Sequence, residues 1–276
     1  MLKHLPEGLT PFQDCGFDRK PLLPLAGERV QVFCRAEEPP VLTLHVNGKE
    51  SVLSPIPVDE RHYRFDLGAF QYGDQVDYSF CNGRRFSFEP QCETVCCQPV
   101  SLLRSGNAVC AVFESFHLLL QIGETLTETA SSAQPPAWAE CEEAELAANE
   151  DLSLHVQKSP FIWELKRFSS RETVLSISEY RLRAGMRGGI SSIEQVGQLH
   201  ASHVWGTGER FHQVDLQGSE SNGRVVEKFT QQDDQTYLPI PFYMTERGFG
   251  CFRDGSIPAE MHFSSPYTVR QRTQGE

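Results

Sequence analysis

The chain has 276 residues, of which 39% are hydrophobic and 22% are charged, and its formal net charge is −12. This composition excludes a disordered chain, and the length fits two domains or one large β domain. The negative charge argues against a nucleic acid partner, because an acidic surface repels phosphate backbones.

The nine cysteines and the start of the chain bear on its location. No apolar stretch typical of a secretion signal follows residues 1–6, and the longest apolar run, near residues 116–122, is too short to span a bilayer. An odd number of cysteines without a signal indicates reduced thiols. We therefore expect a cytoplasmic protein that has no membrane partner.

The cysteines at 92, 96 and 97 have no second ligand pair at the spacing of a zinc site. Small core or surface residues are the better interpretation. We expect neither a metal nor a cofactor.

The first part of the chain predicts a small β-sandwich. Residues 1–28 are rich in Pro and Gly and indicate a lead-in. Short alternating segments follow at residues 30–34, 41–46, 63–67 and 76–80. The dipeptides Asn47-Gly48 and Asn82-Gly83 are hairpin signals between strands. This pattern is typical of a generic Ig-like module that ends near Pro90.

A second region is also rich in β-strand patterns. Residues 108–122 predict a pair of strands, and three further strands are predicted at residues 152–156, 161–166 and 173–177. Residues 140–151 carry six acids and no base, and we expect a short exposed helix or a loop there. Many strands with few helices favour a sandwich over an α/β enzyme core.

Residues 205–211 read Trp-Gly-Thr-Gly-Glu-Arg-Phe. A dinucleotide-binding fingerprint needs a third glycine and a following helix, and the sequence shows neither. Gly206 and Gly208 instead predict a tight turn or a close approach of two backbones. Further on, Pro239 and Pro241 interrupt an apolar segment at residues 236–245, which predicts an edge strand or an irregular strand.

A resemblance follows from these two segments. Gly206-x-Gly208-Glu209-Arg210-Phe211, and then Tyr237-x-x-Ile-Pro-Phe-Tyr-Met-Thr-x-Arg-Gly-Phe-Gly250, are similar to the N-terminal β-sandwich of family 31 glycoside hydrolases. That family includes α-glucosidases and α-xylosidases. The match is strong over residues 205–252 and extends weakly back to about Asn107.

The resemblance implies a galactose-mutarotase-like sandwich that precedes a catalytic (β/α)8 barrel. We therefore predict two all-β domains: an Ig-like accessory sandwich with its lead-in at residues 1–98, and a galactose-mutarotase-like sandwich at residues 99–276. The two catalytic aspartates of the family belong to the barrel, which would begin beyond residue 276. We expect a truncated chain, a gene fragment or one part of a split enzyme, without glycosidase activity of its own.

The resemblance also implies one candidate substrate contact. In the family, a loop of this sandwich reaches over the barrel, and a carboxylate on it can bind sugar hydroxyls. Residues 231–235 occupy the equivalent position, so Asp233 or Asp234 is the candidate for contact with an α-linked oligosaccharide or glycoside. The alternative is that both are solvated turn residues.

Two rival functions remain open on the sequence. A sugar mutarotase needs an acid/base pair, and His200, His203 and His212 lie near Glu209 in the chain. A free-standing carbohydrate-binding module needs exposed aromatic rings. For that purpose Trp138 lies in a Pro-rich loop, whereas the apolar strand around Trp163 places that ring in the core.

Overall fold

The computed structural model describes residues 2–7, 15–81, 83–123, 125–147, 151–186, 189–226, 235–254 and 258–272. Within these ranges the regular structure consists of β-strands and includes no α-helix, so the predicted all-β class is confirmed. Nor do these ranges hold a helix of the length and apolarity that crossing a membrane requires.

The first eight strands form the N-terminal part of the molecule. In chain order they are β1 (Arg19–Lys20), β2 (Arg29–Arg35), β3 (Leu42–Val46), β4 (Lys49–Leu53), β5 (Ile56–Pro57), β6 (His62–Ala69), β7 (Val76–Phe80) and β8 (Arg85–Phe88).

Seventeen further strands complete the described part of the chain. They are β9 (Cys92–Cys96), β10 (Ser101–Ser105), β11 (Ala108–Val112), β12 (His117–Ile122), β13 (Leu126–Ser131), β14 (Ala139–Glu140), β15 (Glu143–Ala147), β16 (Leu152–Gln157), β17 (Ile162–Arg167), β18 (Thr173–Ala184), β19 (Ile190–Leu199), β20 (Val204–Gly208), β21 (Glu220–Asn222), β22 (Pro239–Thr245), β23 (Gly250–Phe252), β24 (Ala259–His262) and β25 (Tyr267–Arg272).

The N-terminal strands form two four-stranded antiparallel sheets, in the orders β1-β2-β6-β5 and β4-β3-β7-β8. Alternate residues of β2 are buried, as expected for a strand with one face in a core. Buried side chains from both sheets make one cluster, so this part is the small sandwich that the sequence predicted. The hairpin at Asn47-Gly48 is confirmed by positive φ at both residues. Asn82 of the second predicted hairpin lies outside the described residues.

The lead-in is attached to this sandwich through His4. The imidazole is buried, and its two nitrogens lie 2.7 Å from the carbonyl oxygen of Phe33 and 2.8 Å from the hydroxyl of Tyr78. Its ring also packs edge-on against Phe86. Burial lowers the pKa of His4 to about 4, because the charged form is poorly solvated there.

The larger region contains a five-stranded sheet, β13-β12-β11-β10-β14, and a nine-stranded sheet. The larger sheet follows the order β15-β16-β17-β18-β19-β25-β24-β21. One hydrophobic cluster contains buried side chains from both sheets, which is the arrangement of a second, larger sandwich. Trp163 is fully enclosed in it and donates its indole N–H to the hydroxyl of Tyr180 at 2.8 Å. The prediction that Trp163 belongs to the core is confirmed.

Strand β9 connects the two sandwiches. Its residues pair with the second half of β18, from Tyr180 opposite Cys96 to Ala184 opposite Cys92. The strand therefore completes the nine-stranded sheet although it follows directly on the small sandwich. The domain boundary between residues 98 and 99 stays a prediction.

One local expectation was wrong, and a second held in one of its two alternatives. Residues 143–147 of the acidic stretch form strand β15 where a helix or loop was expected, because Ala144 and Leu146 are buried on one face while the acids beside them point to solvent. The proline-containing strand β22 is irregular, as predicted, but it is the middle strand of a three-stranded sheet, β20-β22-β23, and not an edge.

Candidate functional site

Residues 206–208 form a bulge where β20 pairs with β22. Gly206, Thr207 and Gly208 have φ angles of 121°, 61° and 97°, and the strand register shifts between the two glycines. A β-carbon on Gly208 would lie 2.0 Å from the carbonyl oxygen of Leu238, and one on Gly206 would lie 2.6 Å from that of Phe242. The predicted close approach of two backbones is confirmed, and it explains why both positions require glycine.

Arg210 fixes the shape of this bulge. Thr207 is a β-branched residue at positive φ, which is a rare conformation that needs support from its surroundings. Its buried hydroxyl accepts a hydrogen bond from Arg210 Nε at 2.8 Å. Arg210 Nη2 donates to Ser221 Oγ at 2.8 Å and to the carbonyl oxygen of Asn222 at 2.9 Å. One guanidinium thus ties the bulge to β21.

The bulge presents Glu209 next to two aromatic rings. The Glu209 carboxylate accepts a hydrogen bond from the Tyr237 hydroxyl at 2.7 Å, and this bond raises the pKa of that phenol. The Tyr237 ring stacks with Phe211 at a centroid distance of 6.2 Å and an interplanar angle of 30°. The side chains of Phe211 and Tyr237 are 58% and 46% exposed. This arrangement is an open aromatic surface with a carboxylate at its edge.

The two described ends of the predicted substrate loop are joined to each other. The amide of Val226 donates to the carbonyl oxygen of Thr236 at 2.8 Å, and Val225 forms a parallel bridge with Thr236. Thr236 is fully buried, and its hydroxyl donates to the carbonyl oxygen of Glu209. The base of the loop is therefore anchored on the bulge. Asp233 and Asp234 themselves lie outside the described residues.

The three-stranded sheet has one apolar face that no described residue covers fully. Trp205 lies opposite Met244, and Phe242 lies opposite Phe252, so these four side chains share a face, which Ile240 extends along β22. Met244 and Ile240 are each 46% exposed, and Phe252 is 64% exposed. The opposite face carries Tyr243 and Val204 into the core. Exposed apolar surface of this kind marks an interaction site.

His203 is hydrogen-bonded to Asp215 at the start of β20. Its Nδ1 lies 2.6 Å from Asp215 Oδ2, while Asp215 Oδ1 accepts the backbone amides of Val204 and Gln217. These bonds lower the pKa of Asp215 to about 2, and the Asp215 carboxylate raises the pKa of His203. The imidazole lies parallel to the Trp205 ring at a centroid distance of 6.0 Å.

The histidines considered for mutarotase chemistry do not meet Glu209 in the described part of the chain. His203 bonds to Asp215, and His200 lies 3.4 Å from the hydroxyl of Ser176. Glu209 bonds to Tyr237 instead. The pairing of a histidine with Glu209, which that rival function needed, is not formed.

Cysteines and other possible metal ligands form no metal site within the ranges that the structure describes. The nine cysteines all lie in the described part of the chain, and none of them forms a disulfide. Burial raises the pKa of Cys34 to about 12 and that of Cys110 to about 11, so these thiols are protonated.

Sequence reasoning missed the Phe211–Tyr237 pair and the His203–Asp215 pair. Each pair joins residues from separate segments, and the bulge at residues 206–208 determines which of them meet. The alternation of apolar and polar residues along one strand does not show which residues of another segment it will contact. The one available signal was the density of aromatic residues in the segments on either side of the polar loop.

A family model described as the glycosyl hydrolase 31 N-terminal galactose mutarotase-like domain matches residues 111–263. These residues are more than half of the chain and contain the bulge, the aromatic pair and the apolar face. The chain belongs to this family. The resemblance drawn from residues 205–252 is thereby confirmed, and the family match also covers nearly all of its weaker extension back to about Asn107. No curated protein matches the chain.

The solved structures that share the fold include the following three. An uncharacterized protein from Listeria monocytogenes EGD-e gives a TM-score of 0.73 at 19% identity. The cycloalternan-forming enzyme from Listeria monocytogenes, in complex with its pentasaccharide substrate, gives 0.72 at 18% identity. The cycloalternan-degrading enzyme from Trueperella pyogenes gives 0.50 at 16% identity.

Each of these comparisons covers 100% of this chain, but only 30% of the two Listeria chains and 33% of the Trueperella chain. At such low identity the likeness shows the fold alone. The chain therefore spans about a third of the length of the structures that it matches.

Proposed function

We propose that this chain is the non-catalytic N-terminal portion of a family 31 α-glycoside hydrolase. It supports a catalytic (β/α)8 barrel through the apolar face of β20, β22 and β23, and it lends the substrate pocket the loop at residues 231–235. The observation that carries the proposal is that this exposed apolar face lies within the residues that the family model matches.

The packing of the sheet supports this role. Contact of apolar side chains with water is unfavourable, and their burial stabilises the protein by roughly 25 cal/mol for each Å² of apolar surface. The side chains of this face are Trp205, Phe242, Met244 and Phe252. The opposite face is already occupied by the core of the sandwich. A second domain is the natural cover for an apolar sheet face of this size.

The matched structures support the proposed substrate class. One matched structure holds a pentasaccharide substrate, and another is a cycloalternan-degrading enzyme. The proposal extends this to an α-linked oligosaccharide or glycoside for the present protein, with Asp233 or Asp234 accepting hydrogen bonds from sugar hydroxyls.

The test begins with the gene. Sequencing beyond the codon of Glu276 is expected to find an in-frame barrel that carries two aspartates as acid/base and nucleophile. The gene product is then compared with its Met244→Asp/Phe252→Asp variant. A charge buried in a domain interface is strongly unfavourable, so the variant should lose thermal stability and α-glycosidase activity together.

Phe168→Asp is the matched control, since Phe168 is 44% exposed and belongs to the turn between β17 and β18, not to the apolar face. It should leave both readouts unchanged. A stop codon or an unrelated domain after Glu276, or full activity in the double variant, would overturn the proposal.

A further inference from the structure

The aromatic pair Phe211 and Tyr237 is not explained by support of a barrel. The apolar face used for that role consists of residues of β20, β22 and β23, whereas Phe211 follows β20 and Tyr237 precedes β22. The two rings sit beside the bulge, at the base of the loop whose ends are Val226 and Thr236. Both remain largely open to solvent.

The orientation of the rings is fixed by polar contacts. The hydroxyl of Tyr237 donates to Glu209 Oε2, and the amide of Glu209 donates to the carbonyl oxygen of Leu238 at 3.2 Å. Exposed aromatic side chains usually lose rotamer freedom when they bind a ligand, which weakens binding. Here the phenol is already held by its carboxylate partner, so less of that freedom remains to be lost.

The chemistry of this surface matches a pyranose. A sugar ring has an apolar face of C–H groups that packs on aromatic rings, and a rim of hydroxyls that donate to carboxylates. Phe211 and Tyr237 form one stacked pair of exposed rings beside Glu209, which offers an aromatic face to the C–H side of a sugar unit. Glu209 Oε1 has no hydrogen-bond partner among the residues that the structure describes, so it is open to a hydroxyl at the edge of the rings.

The surface formed by Phe211, Tyr237 and Glu209 is less suited to contact with a second protein domain than to contact with a sugar. Burying the exposed Glu209 carboxylate in an apolar interface carries a desolvation penalty, whereas a sugar hydroxyl replaces the lost water directly. A surface that combines two rings with an open acceptor therefore favours a small polyhydroxy ligand.

We infer that Phe211, Tyr237 and Glu209 form a sugar-binding subsite of this sandwich, which takes one unit of an α-linked oligosaccharide. The inference rests on the proposed function for one point, which is that the sugar is α-linked. The rings bind the C–H face of that unit, and Glu209 accepts a hydrogen bond from a hydroxyl. Because all three residues belong to this chain, the subsite binds without a barrel, with a dissociation constant on the order of 1 mM.

Saturation-transfer difference NMR on the 276-residue chain with isomaltose and with maltopentaose tests this directly. The expected result is transfer to the C–H protons of the pyranose rings. Phe211→Ala and Tyr237→Ala should each weaken binding about fivefold to tenfold. Glu209→Gln should weaken binding by a smaller factor, because an amide oxygen remains as an acceptor.

Phe168→Ala is the control for loss of an exposed phenylalanine and should bind as the parent chain does. Circular dichroism confirms that each variant is folded; if Tyr237→Ala is not, Phe211→Ala alone decides. An absence of transfer at about 10 mM sugar, or unchanged binding in Phe211→Ala, would overturn the inference.

The result is separable from the fate of the proposed function. The Met244→Asp/Phe252→Asp variant tests the barrel-supporting face and should leave sugar binding by the isolated chain intact. If the chain binds sugar but its gene encodes no barrel, the proposed function is wrong and the subsite stands. If the gene encodes a barrel but the isolated chain binds no sugar, the subsite is wrong and the proposed function stands.

Discussion

Gly208 and Leu238 approach so closely that a β-carbon on Gly208 would lie 2.0 Å from the Leu238 carbonyl oxygen. Gly208→Ala must therefore displace β22 or open the bulge, and its positive φ adds strain. We expect a loss of about 3 kcal/mol or more in the free energy of unfolding, measured by urea denaturation.

Gly218→Ala separates the effect of the close contact from the effect of the positive φ. Gly218 has a φ of 79°, but a β-carbon added there would have no neighbouring atom within 4 Å, so only the backbone strain remains. That variant should lose about 1 kcal/mol. Equal losses in the two variants would show that the contact with Leu238 is not what requires glycine at position 208.

Arg210→Lys should destabilise the bulge, although the charge is kept. A lysine cannot reach Thr207, Ser221 and Asn222 in the same fork geometry, so buried hydroxyls lose their partners. We expect a loss of about 1.5–3 kcal/mol in the free energy of unfolding, with faster hydrogen exchange at the amide of Glu209. Arg171→Lys, in an exposed ion pair with Glu145, should change stability by less than about 0.5 kcal/mol.

Asp215→Asn should lower the pKa of His203 towards its ordinary value. The Asp215 carboxylate raises that pKa by a hydrogen bond and by its charge, and asparagine supplies no charge. An NMR pH titration of the His203 ring protons measures the change, and Trp205 fluorescence should follow it because the two rings are stacked. Asp59→Asn, which removes the partner of His62, should leave His203 unaffected. A His203 titration that does not move would contradict the assigned pair.

The stability of the N-terminal sandwich should fall as the pH drops below neutrality. The pKa of His4 is about 4 when folded and 6.5 in its ordinary state, so between these values the unfolded chain binds a proton that the folded chain does not. The stabilisation is present above pH 6.5 and is lost progressively as the pH falls towards 4. The expected loss is about 2–3 kcal/mol, allowing for partial solvation.

Urea unfolding at pH 7 and pH 5, for the parent chain and His4→Gln, measures this effect. The variant is less stable at pH 7, but it should lose clearly less stability between the two pH values. An identical loss in both proteins would assign the pH dependence to other groups.

The alternation of apolar and polar residues predicts many of the strands, and the motifs in residues 205–252 predict the family. The acidic strand β15 was misread because its charges hid the alternation of Ala144 and Leu146. The contacts of His4 with Phe33 and Tyr78 depend on tertiary packing, which a Pro-rich lead-in does not reveal. The candidate contacts Asp233 and Asp234 stay predictions, whereas the subsite residues become visible only after the bulge has placed Glu209 beside Tyr237.

The central claim is that this sandwich assists catalysis without performing it. The most direct measurement compares hydrolysis of p-nitrophenyl α-glucoside and α-xyloside by the isolated 276-residue chain and by the full product of its gene. The account predicts no turnover by the isolated chain, and turnover by the full product that Met244→Asp/Phe252→Asp abolishes. Turnover by the isolated chain that is lost when Asp233 and Asp234 are both replaced by asparagine would contradict it.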